Sequence, residues 1–134
     1  MENYYNEFIG KFISGVYRDG KDVVLEGVRE GLDIVLEPYG DCCSSTWIES
    51  IDIVENLLGA TIQKIEDIDM PQKGNVGTLN HPYVDQVAYY GLRITTDKGV
   101  SVLDYRNDSN GYYGGSVLIH FREKKERLYS SRSI

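Results

Sequence analysis

The chain has 134 residues, 41% hydrophobic and 26% charged, enough for one domain with its own core and too few for two. Fourteen basic against 21 acidic residues give a formal charge of −7; general nucleic-acid binding is disfavoured, because that affinity comes from lysine and arginine neutralising phosphates. No apolar run approaches the roughly 20 residues of a membrane-spanning helix, and Met1-Glu2-Asn3-Tyr4-Tyr5 lacks the basic start and apolar stretch of a secretory signal, so no membrane contact is expected.

In chain order, Tyr5, Phe8, Ile9 and Phe12 recur at the spacing of a short amphipathic helix that Gly10 stops. Phe12–Tyr17, Asp22–Leu25 and Leu32–Leu36 then read as strands, joined at Asp19-Gly20 and Glu30-Gly31. Pro38-Tyr39-Gly40-Asp41 is expected to end that sheet. Thr46-Trp47-Ile48-Glu49 fits a capping box, so a short helix should follow, with a second turn or helix over Ile53–Leu58. Ala60–Ile65 reads as a strand, and residues 68–84 as a long loop, of a length that is often functional or mobile. Asp85–Thr96, Val100–Tyr105 and Ser116–Phe121 are the remaining strands, the first two joined by Asp97-Lys98-Gly99. Asn107–Gly115 reads as a polar loop.

Two stretches repeat. Phe8-Ile9-Gly10-Lys11-Phe12-Ile13 parallels Leu57-Leu58-Gly59-Ala60-Thr61-Ile62, each a helix end, a glycine and a strand start. The first copy ends in Glu37-Pro38-Tyr39-Gly40-Asp41, the second in Asp104-Tyr105-Arg106-Asn107-Asp108. The pattern predicts an α+β fold: mostly antiparallel sheet with two or three short helices and an internal duplication of a helix–Gly–hairpin unit. Residues 1–121 form the domain. Residues 122–134 form a basic tail, in which Arg122, Lys124, Lys125, Arg127 and Arg132 outnumber Glu123 and Glu126.

Cys42 and Cys43 are adjacent and unaccompanied, so no disulfide framework is expected and a reducing compartment fits. Their spacing is wrong for a shared zinc ion, and no metal site is expected. A thiolate at a helix start could act as a nucleophile with His81 or His120. Nothing around either histidine matches a catalytic motif, so a non-enzyme is the leading expectation. Neither a P-loop nor a dinucleotide fingerprint occurs, and no cofactor is expected.

Two loops carry the chemistry. Gly40-Asp41-Cys42-Cys43-Ser44-Ser45-Thr46-Trp47 feeds the expected helix start, where free N–H groups attract anions. Tyr105-Arg106-Asn107-Asp108-Ser109-Asn110-Gly111-Tyr112-Tyr113 offers a guanidinium for phosphate, amides for base edges and rings for stacking. The candidate ligand-binding set is Tyr39, Ser44, Ser45, Thr46, Trp47, Arg106, Asn107, Asn110, Tyr112 and Tyr113, and its natural ligand is a small anionic nucleotide. Each member also has an ordinary structural reading. Ser, Asn and Asp form turns and caps, Trp47 suits a core, and Arg106 can simply pair with Asp104 or Asp108.

The segments Gly40-Asp41-Cys42-Cys43-Ser44-Ser45 with Trp47-Ile48-Glu49, and Arg106-Asn107-Asp108-Ser109-Asn110-Gly111-Tyr112-Tyr113-Gly114-Gly115, resemble a family of small bacteriophage and bacterial proteins without an established activity. The usual second loop of that family has serine where this chain has Asp108. The resemblance spans Gly10 to Phe121 and implies a phage accessory protein working in the host bacterial cytoplasm. By analogy with anti-defence sponges, it implies a homo-oligomer that sequesters a cyclic-dinucleotide-type immune signal without catalysis. An acidic inhibitor that occupies a host enzyme's basic site is the alternative.

Overall fold

The computed structural model describes residues 5–29, 31–40, 44–70, 86–109 and 115–124. Among them are nine strands: β1 (Phe12–Ile13), β2 (Gly15–Asp19), β3 (Asp22–Arg29), β4 (Leu32–Gly40), β5 (Ser45–Asp52), β6 (Ala60–Asp69), β7 (Gln86–Thr96), β8 (Gly99–Ser109) and β9 (Gly115–Glu123). They pair antiparallel into a five-stranded sheet, β1-β6-β7-β8-β5, and a four-stranded sheet, β2-β3-β4-β9. Alternation along each strand turns one apolar set inward. Ile34, Leu36 and Ile119 from one sheet meet Ile48, Leu92, Ile94 and Leu103 from the other in one core, which Phe8 and Leu57 also enter.

Mostly antiparallel sheet was expected; the helices were not realised as such. Asn6–Phe8 and Val54–Asn56 are single 3-10 turns, and the helix expected after Thr46 is instead strand β5. Thr46, Ile48 and Ile51 are β-branched and fit a pleated surface. Pairing of β5 with β8 turns Ile48 into the core, a tertiary gain that a capping box of about 1 kcal/mol does not offset. Glu49 sits in a bulge between Ile48 and Ser50 and accepts a hydrogen bond from Trp47 Nε1 at 3.0 Å instead of capping anything. The anion-attracting helix start is therefore absent at this point.

Several strands run further than expected. β4 continues through Pro38 to Gly40, paired with β9. Pro38 lies beyond the last β3–β4 pair, Val23 with Leu36, so its missing N–H removes no bond to β3. β6 extends to Asp69 and β8 to Ser109, absorbing Asn107 from the expected loop. Most of the expected 68–84 loop, both cysteines, His81 and the tail from residue 125 lie outside the described residues.

The repeat has a counterpart in three dimensions. Gly10 and Gly59 both follow a 3-10 turn with positive φ, 86° and 69°. Gly10 N–H donates to Ile62 O at 2.7 Å, and Gly59 N–H donates to Ile13 O at 2.8 Å. Because Gly10 matches Gly59 and Ile13 matches Ile62, these are one bond made twice across a local two-fold through the Phe12–Thr61 pair. Each half then supplies three consecutive antiparallel strands to one sheet, β2-β3-β4 or β6-β7-β8. Its next strand crosses over: β5 leaves the first half to pair with β8, and β9 leaves the second to pair with β4.

Candidate functional site

The described members of the expected set fall in three places. Ser44, Thr46 and Asn107 gather where the two crossing strands meet. Asn107 is fully buried, and its amide donates to Ser44 Oγ at 3.1 Å and Thr46 Oγ1 at 2.9 Å. Gly40 and Gly115, paired on the neighbouring sheet, leave room for these hydroxyls: a Cβ at Gly40 would sit 2.8 Å from Thr46 Oγ1, and one at Gly115 would run into it. This cluster ties the two sheets together at the crossover. Asn107 Oδ1 is buried, with no hydrogen-bond partner among the described residues.

Tyr39 lies elsewhere. It alternates in phase with Val35, whose cluster with Tyr17 and Val24 is on the outer face of the four-stranded sheet, and it is half exposed. His120 shares that sheet and places Nε2 3.3 Å from Glu37 Oε1.

Trp47 and Arg106 do come together, on the outer face of the five-stranded sheet. They are cross-strand partners, with Tyr89 on the other side of Arg106. The Arg106 guanidinium lies 4.8 Å from the Tyr89 ring centroid, within cation–π range. Its Nε and Nη2 donate to the two Asp104 carboxylate oxygens at 3.4 and 3.3 Å, and Nη1 stands 3.4 Å from Glu49 Oε1. The hydrogen bond to Asp104 raises the Arg106 pKa above its ordinary value. All three contacts are longer than the 2.7–2.9 Å typical of charge-assisted bonds. Ser45, exposed and paired with Asp108, ends this face. Asn110, Tyr112 and Tyr113 lie outside the described residues.

Below that row the face opens into a groove of about 510 Å³. Ile68, Met70 and Val102 supply its apolar walls, and Ser50, Asp52 and Asp104 its polar ones. Gly91 lies between Ile68 and Asp104 in the sheet; a Cβ there would fall 2.8 Å from Ile68 Cγ1 and Met70 Sδ. The bare backbone at Gly91 is what lets both side chains settle over the sheet.

Sequence reasoning missed Tyr89, Glu49 and the groove. Tyr89 was within reach of it: the Asp97-Lys98 hairpin pairs Thr96 with Gly99, and counting back along both strands sets Tyr89 beside Arg106. The capping-box spacing makes Glu49 look like a cap, and a bulge cannot be counted from sequence in the same way.

Among the described residues no group of three or more histidine, cysteine, aspartate or glutamate side chains could hold a metal ion, and no helix is long and apolar enough to cross a membrane. The family model described as Domain of unknown function (DUF7448) matches residues 6–119. The chain belongs to this family. The DUF7448 match takes in the first 3-10 turn, both sheets as far as Ile119, the crossover and the groove. No curated protein and no solved structure matches the chain.

Proposed function

We propose that this DUF7448 protein is a non-catalytic binding protein that captures an anionic nucleotide of the cyclic-dinucleotide type on the outer face of its five-stranded sheet. The observation that carries the reading is the Trp47–Arg106–Tyr89 row. A guanidinium flanked by two aromatic residues, held by contacts of 3.3–3.4 Å, can exchange Glu49 for a phosphate oxygen, while the rings offer faces for a base. The same reading includes the homo-oligomer, the host bacterial cytoplasm and the anti-defence role implied by the phage resemblance.

The test is calorimetric titration of the purified chain with cyclic di- and trinucleotides and mononucleotides, with its molar mass measured by light scattering. Arg106→Ala should weaken binding by about 1.5–3 kcal/mol, the worth of a hydrogen bond to a charged group, and leave the melting temperature of the free protein near wild type. Wild-type affinity in that variant, or no binding across the panel, refutes the reading.

A second reading has one observation in its favour. Glu49, Asp52, Asp104 and Asp108 crowd this side of the molecule around a partly apolar groove, as an acidic inhibitor of a basic protein site would require. It predicts capture of a basic host protein and no small ligand.

A further inference from the structure

We propose that the groove beside Arg106 is a base pocket selective for guanine, which rests on the nucleotide reading above and specifies its ligand. The carboxylates are what an anion site should avoid, so their presence next to the one guanidinium of the row calls for a chemical reason. A purine base supplies it. Guanine alone among the common bases presents two adjacent donors, its N1–H and N2 amino group, and a carboxylate offers two adjacent acceptors. Adenine and cytosine pair a donor with an acceptor on the corresponding edge, which a carboxylate matches only by half.

Asp52 fits the role. It lines the groove, its backbone carbonyl is engaged by Ser101 Oγ, and no ion pair to its carboxylate occurs among the described residues. Asp104 is already held by Arg106. Asp52 pairs with Val102 and Trp47 with Arg106; at about 3.3 Å per residue along β8 these rows lie about 13 Å apart, comparable to the reach of a nucleotide from base edge to phosphate once both side chains are counted. Val102, Ile68 and Met70 give apolar surface against which a base can pack between the two ends, and the volume is within the range of small-molecule sites.

The experiment compares cyclic dinucleotides built from guanine, hypoxanthine and adenine, titrated into the full chain, with an arginine–lysine peptide amide as a fourth probe. Hypoxanthine differs from guanine only by the missing N2 amine. The guanine compound should bind at least tenfold more tightly than the other two, because the bound analogue covers an Asp52 carboxylate oxygen and leaves it unpaired. Asp52→Asn should remove most of that preference, and Ser50→Tyr, which fills the groove mouth, should weaken the guanine compound at least tenfold. Both residues are exposed, so the free melting temperature should not move. Equal binding of all three nucleotides, or a preference that survives in Asp52→Asn, overturns the guanine pocket and leaves the nucleotide reading standing. Binding of the peptide in place of nucleotides, or of nothing, overturns both.

Discussion

Replacing Gly115 with alanine adds a methyl group at the point where the two exchanged strands touch. The new Cβ would run into Thr46 Oγ1 and lie 2.9 Å from Asn107 Nδ2. Neither neighbour gives way cheaply: Asn107 is fully buried and hydrogen-bonded to Thr46 Oγ1. Losing that bond costs about 1 kcal/mol, and crowding a packed site adds about 1–3 kcal/mol. The sum is about 2–4 kcal/mol, which for a chain of this length lowers the melting temperature by roughly 7–14 °C. Calorimetric melts of wild type, Gly115→Ala, Thr46→Ala and the double variant form the test. Removing the Thr46 hydroxyl vacates the space the methyl group needs, so the double variant should be more stable than additivity allows by at least about 1 kcal/mol. Strictly additive melting temperatures, or a Gly115→Ala protein as stable as wild type, would refute the crossover clamp.

Ile53 has φ 53° and ψ 57° and is half exposed; a β-branched residue in that region costs about 1–2 kcal/mol. Ile53→Gly should therefore raise the melting temperature by roughly 2–4 °C, after subtracting the extra freedom of glycine in the unfolded chain. Burial first, then Asp67 and Tyr90, push the Tyr105 hydroxyl up to about 12. The unfolded chain ionises near pH 10 while the folded one stays neutral, so stability present below pH 10 is lost between pH 10 and 12, by up to about 3 kcal/mol. Urea melts of Tyr105→Phe should show a shallower fall across that window. The hydrogen bond from Arg93, 2.7 Å to Glu66 Oε1, holds the Glu66 carboxyl below the usual range. In Arg93→Ala its NMR titration midpoint should move upward.

Local signals that act within a few residues were legible. Asp19-Gly20 and Asp97-Lys98-Gly99 set two hairpins, and the apolar, β-branched runs within Leu32–Leu36 and Val100–Tyr105 marked strands that the structure contains. The matched glycines Gly10 and Gly59 announced a repeat whose copies hydrogen-bond to each other. The segment after Thr46 shows the limit. Its capping box and its β-branched residues point to different structures, and the choice falls to β8, which lies more than fifty residues away in sequence and receives Ile48 into the core.

The candidate site divides along the same line. That an arginine, a tryptophan and several hydroxyl and amide residues cluster in two segments was written in the chain. Which of them meet was decided by the strand exchange. It turns Ser44, Thr46 and Asn107 inward as a clamp, leaves Tyr39 on the opposite sheet, and brings Trp47, Arg106 and Tyr89 into one row. Neighbours along a strand alternate between faces, so proximity in sequence separates Thr46 from Trp47 and Arg106 from Asn107. Only the register of strands distant in the chain could assemble the row and the groove beneath it.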